Sequence, residues 1–275
     1  MNCQKQLFSL PDDHHYINCA YMSPLLASVE EEGVKGLRTK KMPWEITPNH
    51  FFEDSSQLRS LFSRLIHAQN TRDVAILPST SYGLATVANN IDPAKGHTII
   101  IAGEQFPSNV YAWKRFCRKH NCQLKAITAP AELKNRGKQW NERILDAIDS
   151  DTLLVALGNV HWADGTLFSL GEIGARARAC DAYFVVDGTQ SVGALPVDVQ
   201  DIKPDALICS GYKWLMGPYS IALGYFGKRL TDGIPLEEGW IGRRDSENFA
   251  ELVHYTDHYQ PGAIRFDVEI GRAHV

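Results

Sequence analysis

Short apolar runs alternate along this chain with longer amphipathic stretches. The runs are four to six residues long, and their content of Val, Ile and Leu is typical of buried strands. They are Val74–Leu77, Thr98–Ala102, Leu124–Thr128, Thr152–Leu157, Ala182–Val186, Ala206–Cys209 and Ile221–Phe226. Helical patterns lie near residues 25–40, 80–90, 108–120, 139–149 and 170–180. This alternation predicts an α/β fold, with a mostly parallel sheet and helices on both of its faces.

The last two strand candidates are joined by a connection that has no room for a crossover helix. Ile221–Phe226 is therefore predicted to run antiparallel to its neighbour. In open α/β sheets, ligands bind outside the carboxyl ends of the strands. Asn159, Asp187 and the segment 210–213 all follow strand candidates, so we expect a binding site where these three positions meet.

Composition narrows the classes of function. The 275 residues carry a net charge of −4 with a pI near 6.2, which gives no electrostatic reason to expect binding to nucleic acid or to an anionic membrane. No apolar run approaches the length of about 20 residues that a membrane span needs. The chain contains no GxGxxG or P-loop pattern. His254 and His258 have helical spacing but no third ligand nearby, so no metal site is predicted.

The six cysteines form no CxxC pair. Several of them lie in apolar segments, and the start of the chain has no signal-peptide pattern. We therefore expect reduced, buried thiols in a cytoplasmic protein.

Two segments carry the strongest chemical signal. In Val185–Gln190 an apolar strand ends in Asp187, and in Cys209–Trp214 a second strand ends in a loop that carries Lys213. Pyridoxal phosphate (PLP) needs a carboxylate for its pyridinium nitrogen and an amine for its Schiff base. The alternatives are an aspartate that caps a turn and a lysine in solvent. The aromatic residues on both sides of the lysine disfavour a solvated loop.

Other residues near strand ends have two interpretations each. Gln190 and Asn159 are either donors to the ring oxygen of the cofactor or ordinary turn residues. The segment Ser79–Gly83 opens a helix, where hydroxyls and N–H groups form either an anion site or a plain N-cap. Phe106 either stacks on the pyridine ring or lies in the core, and the sequence alone favours the core.

From about Tyr16 to Asp267 the chain resembles the class V aminotransferase family of fold-type I PLP enzymes, which includes cysteine desulfurases, selenocysteine lyases, kynureninase and isopenicillin-N epimerase. The two segments match the family signatures D-[GA]-[AT]-Q and S-[GA]-[HY]-K. The resemblance implies that Lys213 is the Schiff-base lysine and Asp187 the pyridinium partner. It implies hydrogen bonds to the ring oxygen from Gln190 and Asn159, and phosphate ligands at Thr80, Ser81, Ser210 and Tyr212. It also implies a homodimer whose small-molecule substrate is an amino acid.

The resemblance departs from the desulfurase pattern at Phe106, where desulfurases and lyases often carry a stacking histidine that takes part in acid–base chemistry. Transamination or related Cα/Cβ chemistry is therefore the leading expectation, and a cysteine desulfurase or selenocysteine lyase is the alternative. A non-catalytic PLP-fold binding protein is a third hypothesis, which the intact Lys213 and Asp187 disfavour.

Four regions are predicted along the chain. Residues 1–50 form an N-terminal arm, 51–235 the PLP-binding large domain, and 236–269 an irregular segment that leads to a small domain. Members of the family are usually considerably longer, so we expect that small domain to be largely missing. Residues 270–275 match the translation of a common sequencing adapter, and we expect them to be a non-native tail.

Overall fold

In a computed structural model, which describes residues 3–269, one mixed sheet organises the chain. Its seven strands lie in the order β1-β7-β6-β5-β4-β2-β3. They are β1 (Val74–Leu77), β2 (Thr98–Ala102), β3 (Gln123–Ile127), β4 (Thr152–Gly158), β5 (Tyr183–Asp187), β6 (Ala206–Ser210) and β7 (Ala222–Phe226). All seven coincide with predicted strands to within one residue at each end. Six of them are largely buried apolar runs, while the edge strand β3 is largely exposed.

Strand direction also follows the prediction. The pairs β2–β3, β2–β4, β4–β5 and β5–β6 are parallel. β7 runs antiparallel to β6 on one side and to β1 on the other. The predicted mostly parallel sheet with one antiparallel strand is confirmed.

Helices cover both faces of this sheet, as predicted. They are α1 (Ala27–Thr39), α2 (Glu53–Leu65), α3 (Thr80–Asn89), α4 (Ser108–His120), α5 (Arg136–Ala147), α6 (Leu170–Ala179) and α7 (Val199–Ile202). The sequence analysis did not predict α2 or α7. α2 has the spacing of an amphipathic helix, with Leu58, Leu61, Phe62 and Leu65 at i, i+3, i+4 and i+7, and α7 is a single turn.

Two apolar cores lie on opposite faces of the sheet. Trp140 of α5 is buried against the core that α2, α5 and α6 share, and Trp113 of α4 is buried against the core that α3 and α4 share. Both indole N–H groups have acceptors, the Ile127 carbonyl for Trp140 and the Asn109 side chain for Trp113. Since truncating such a side chain costs about 3–5 kcal/mol, the sheet is a rigid platform for the residues at its ends.

The segment 236–269 packs back onto the sheet. Asp267 accepts a hydrogen bond from the Ile76 N–H at 2.8 Å and pairs with Arg59 of α2. Phe266 packs on Phe226 of β7, with 4.7 Å between the ring centroids. The edge of β1 is therefore covered rather than open to another strand. The predicted tail at 270–275 lies outside the described residues.

Candidate active site

A cleft of about 200 Å³ opens at the carboxyl ends of β4, β5 and β6, beside the N-terminus of α3. Eight of the nine predicted site residues line it, namely Thr80, Ser81, Phe106, Asp187, Gln190, Ser210, Tyr212 and Lys213. Sequence positions 130 residues apart therefore meet in one place, as the rule for the carboxyl ends of parallel strands predicts.

Asp187 is the last residue of β5 and lies at the bottom of the cleft. It is 9% exposed, and its Oδ1 accepts a hydrogen bond from the Thr189 N–H at 3.0 Å. Burial raises the pKa of this carboxyl group, while the hydrogen bonds from Thr189 and the nearby Lys213 act in the opposite direction. The carboxylate is thus held in one orientation by the backbone of its own turn.

Lys213 lies in the loop between β6 and β7 and lines the same cleft. It is 6% exposed, yet its amine makes no hydrogen bond or ion pair with the residues that the structure describes. Its Nζ lies 5.6 Å from the centroid of the Phe106 ring. Burial lowers the pKa of this amine, and the charge of Asp187 offsets part of that effect. A larger fraction of Lys213 is therefore neutral at a given pH than for a solvated lysine.

The loop that carries Lys213 is held from three sides. The Gly217 N–H donates to the Gly211 carbonyl at 2.9 Å, and Ser23 of the N-terminal arm donates to the Tyr212 carbonyl through both its N–H and its hydroxyl. Gly193 approaches the loop with φ +94°, and a Cβ there would lie 2.4 Å from the Trp214 carbonyl oxygen. Only glycine fits both this conformation and this approach.

Hydroxyl groups cluster where α3 begins. The Thr80 hydroxyl lies 2.7 Å from the Ser210 hydroxyl and 3.3 Å from that of Thr189, which also accepts from the Ser210 N–H at 3.2 Å. Ser79 is the N-cap of α3, since its hydroxyl accepts from the Tyr82 N–H at 3.1 Å. The N–H groups of the first residues in a helix have no partner within it, so this end of α3 is suited to an anion.

The position of Phe106 differs from the one that the sequence favours. The sequence favoured a core position, but the ring is 38% exposed and forms a wall of the cleft. It packs edge-on against Trp162, with 5.5 Å between ring centroids, and the Trp162 indole N–H donates to the Glu104 carbonyl at 2.7 Å. The core interpretation is wrong because Phe106 follows β2 at the sheet's open end, where no further layer covers it.

Gln190 and Asn159 differ in their placement. The Gln190 amide lines the cleft, donates to the Ala20 carbonyl at 3.0 Å and accepts from the Trp214 indole N–H at 3.1 Å. Asn159 is buried next to the end of β4, but its neighbours Gly158 and Val160 line the cleft and it does not. A hydrogen bond from Asn159 to a cofactor stays a prediction.

Sequence reasoning missed three residues of the site. Thr189 connects the hydroxyl cluster to Asp187, Trp162 supports Phe106, and Ser23 holds the Lys213 loop. Thr189 lies inside the matched D-G-T-Q motif, and Trp162 follows a strand end, so both carried a positional signal. Ser23 carried none, because its contact spans 189 residues of sequence.

Some kinds of site find no support in residues 3–269. No three His, Cys, Asp or Glu side chains in this part of the chain are arranged to hold a metal ion. None of its helices combines the length and the apolar character that crossing a membrane requires. Neither histidine nor cysteine is among the described residues that line the cleft.

Known structures share this fold. The cystine C–S lyase C-DES in complex with its reaction product cysteine persulfide superposes with a TM-score of 0.83 at 20% identity, over 95% of this chain and 69% of that one. A C-DES variant with glycine covalently linked to its PLP cofactor superposes with a TM-score of 0.85 at 18% identity, over 99% of this chain and 71% of the C-DES chain. The apo cysteine desulfurase of Thermococcus onnurineus superposes with a TM-score of 0.76 at 21% identity, over 98% of this chain and 66% of the desulfurase chain. The architecture is that of fold-type I PLP enzymes.

The family follows from the sequence comparison. The profile of the aminotransferase class V family matches residues 47–246, and the chain belongs to that family, whose members are PLP-dependent enzymes. The family and fold predicted from the two motifs are confirmed.

Curated relatives are cysteine desulfurases. That of Shigella sonnei is 30% identical over 190 residues, which are 68% of this chain and 46% of the relative. The cysteine desulfurase of an Enterobacter species is 28% identical over 185 residues, which are 66% of this chain and 44% of the relative. The chain therefore spans less than half the length of these relatives.

Proposed function

We propose that this chain binds PLP in the cleft and forms the cofactor-binding part of an enzyme that acts on an amino acid. The observation that carries the proposal is Lys213: a buried amine that lines the cleft, has no hydrogen-bond partner among the described residues and has a lowered pKa. A lysine with a purely structural role would pair with a carboxylate or hydrogen-bond acceptor, or its amine would reach solvent. A nucleophilic lysine instead needs a site without water, in which the neutral amine persists.

The donor set of the cleft fits PLP. Asp187 provides a buried carboxylate beside Lys213, and Thr80, Ser81 and Ser210 provide hydroxyls at a helix N-terminus. A carboxylate for a pyridinium nitrogen and hydroxyl and N–H donors for a phosphate are the groups that this cofactor requires. When bound, PLP supplies an electron sink for negative charge that develops on the substrate.

Each residue then has a separate task. Lys213 would hold the cofactor through its amine, and the same amine would move a proton at the substrate's α-carbon. Asp187 would hold the pyridine nitrogen in its protonated form, and the Thr189 N–H orients the carboxylate for this task. Phe106 excludes water from one face of the cleft, while Gln190 and Tyr212 shape its mouth.

For the reaction, the comparisons favour C–S bond cleavage over the transamination that the sequence analysis placed first. The curated relatives are cysteine desulfurases, and one structural neighbour is a cystine C–S lyase. Within the described lining no cysteine is present to accept sulfur. We therefore propose that the bond between the β-carbon and sulfur breaks by elimination and that the sulfur takes up a proton and leaves as a low-molecular-weight thiol or persulfide. One water molecule then converts the remaining carbon skeleton into a keto acid and ammonia.

Transamination remains a second candidate because of Phe106. The cleft has this phenyl ring in place of a histidine, and the ring has no proton to give to a leaving sulfur atom. Transfer of an amino group needs no such donor beyond Lys213 itself.

The experiment combines cofactor and product assays. Purified protein is mixed with PLP, reduced with borohydride and mapped by peptide mass; we expect label on Lys213, and label on another lysine would refute the assignment. The surface residue Lys228, changed to alanine, is the matched control for Lys213→Ala. The protein is then incubated with cysteine, cystine or alanine, and the products identify the reaction. Pyruvate together with sulfide or persulfide indicates a lyase, and formation of alanine from cysteine indicates a desulfurase. Transfer of the amino group to an added keto acid indicates an aminotransferase.

We also propose a homodimer in the cytoplasm. Leu37 of α1 and Leu61 and Leu65 of α2 expose large apolar side chains that a second subunit would cover. The six cysteines are all free thiols, which supports a reducing compartment. Sedimentation of the purified protein tests the first statement, and fractionation of the source cell tests the second.

A further inference from the structure

A second depression runs along the outer surface between α3 and α4 and joins the cleft. Its volume is about 550 Å³, and Ser81 and Ser108 line both it and the cleft. From that junction it extends along α4 to Lys119, about 16 Å for eleven residues of helix. We name this depression the α3–α4 groove.

The α3–α4 groove has an apolar floor and a basic wall. Ala85 and Ala88 of α3 and Phe116 of α4 form part of the floor, and Tyr111 lies 66% exposed above it. The wall carries the basic side chains Arg115, Lys119 and His120.

The cations of α4 have no partners within residues 3–269. Neither a hydrogen bond nor an ion pair involves the side chains of Lys114, Arg115, Arg118 or Lys119 in this part of the chain. Basic residues in a last turn complement the helix dipole, which accounts for Arg118 and Lys119. It does not account for Lys114 and Arg115, which lie a turn earlier. A chain with net charge −4 thus concentrates unpaired positive charge on one helix.

We propose that the α3–α4 groove binds an extended, acidic segment of a partner polypeptide and presents its end to the cleft. Positive charge on the wall matches carboxylates, and the alanine floor matches small or apolar side chains between them. An extended chain rises about 3.3 Å per residue, so about five residues span the groove. The groove does not depend on PLP chemistry, so the inference goes beyond the proposed function.

The test uses a fluorescein-labelled hexaglutamate peptide and the 275-residue protein, with and without added PLP. We expect binding at low ionic strength that weakens as salt screens the charges, and no binding of a hexalysine peptide. The R115E/K119E variant should weaken binding by about tenfold or more, because both reversed charges lie on the groove wall.

The matched control is K114E/R118E. It reverses two exposed charges with the same spacing on the same helix, but neither residue lines the groove. Its affinity should stay within about threefold of the parent, and R115A/K119A should give an intermediate loss. Circular dichroism verifies that each variant is folded.

Three results would overturn the proposal. Absence of binding at low salt would mean that the α3–α4 groove takes no acidic segment. Equal losses in R115E/K119E and K114E/R118E would mean that only the overall charge of α4 matters. A changed particle mass in R115E/K119E would mean that the groove holds a second copy of this chain. Since PLP enters none of these readouts, a failed cofactor assay and a failed peptide assay remain distinguishable.

Discussion

Replacing Asp187 by asparagine tests the electrostatic pairing at the bottom of the cleft. The substitution keeps the shape of the side chain, and the amide oxygen can still accept from the Thr189 N–H. What it removes is the negative charge that raises the pKa of Lys213. With burial then unopposed, the pKa of Lys213 falls further below its ordinary value.

The magnitude follows from the strength of such pairs. An opposite charge nearby in a partly buried site shifts a pKa by about one to three units. Lys213 is only 6% exposed, so water screens this pair little. Removing the charge raises the neutral fraction of Lys213 at pH values below its pKa, and PLP capture there should be about tenfold faster in D187N.

The assay is the rate at which the apo protein captures PLP, followed by absorbance across a pH series. We expect the midpoint of the rate profile to move to lower pH in D187N. Turnover of amino acids should fall by at least about a hundredfold, because an amide cannot keep the pyridine nitrogen protonated. Asp205 is the control: it is also buried and accepts from the Phe184 N–H, but it lies at the opposite ends of β5 and β6. An unmoved midpoint in D187N, or the same shift in D205N, would refute the reasoning.

Three further substitutions have separable outcomes. Phe106→Ala should weaken PLP affinity about fivefold, because it removes about 1 kcal/mol of ring packing. Turnover at saturating PLP should stay unchanged, and a variant that lost turnover but kept its PLP affinity would contradict this. Thr189→Val leaves the Ser210 N–H without its acceptor and should weaken PLP binding about tenfold, as titration measures. Gly193→Ala should destabilise the fold by about 2–3 kcal/mol in thermal unfolding, because its Cβ meets the Trp214 carbonyl. Gly171→Ala, in open space within α6, is the control and should be neutral.

The sheet was predictable because all its strands except the edge strand β3 are largely buried. A run such as Leu153–Leu157 is fully enclosed between two layers, and the enclosure requires the apolar pattern that the sequence displays. α2 was not predicted although Leu58, Leu61, Phe62 and Leu65 have helical spacing. Polar residues interrupt this series, so it forms no continuous apolar run.

The site was predictable only as far as strand ends and motifs reach. Asp187 ends β5 and Lys213 lies three residues beyond the end of β6, and these two strands neighbour each other in the sheet. The order of the strands therefore brings the two residues together. The exposure of Phe106 and the contact of Ser23 with Tyr212 depend on how loops pack over that end. Loop packing of this kind leaves no periodic signal in a sequence.

The pairing of β1 with β7 has a consequence for how the protein folds. Val74 lies opposite Tyr225 in this pair, so β1 finds its partner only after all the other strands have been synthesised. Thr80 and Ser210, which meet across 130 residues, depend on the same late event. Contacts between distant parts of a chain slow folding, since the entropy of closing long loops is lost before the contacts form. In refolding from denaturant, the central parallel strands should therefore acquire protection from hydrogen exchange first, and the ability to capture PLP should return last.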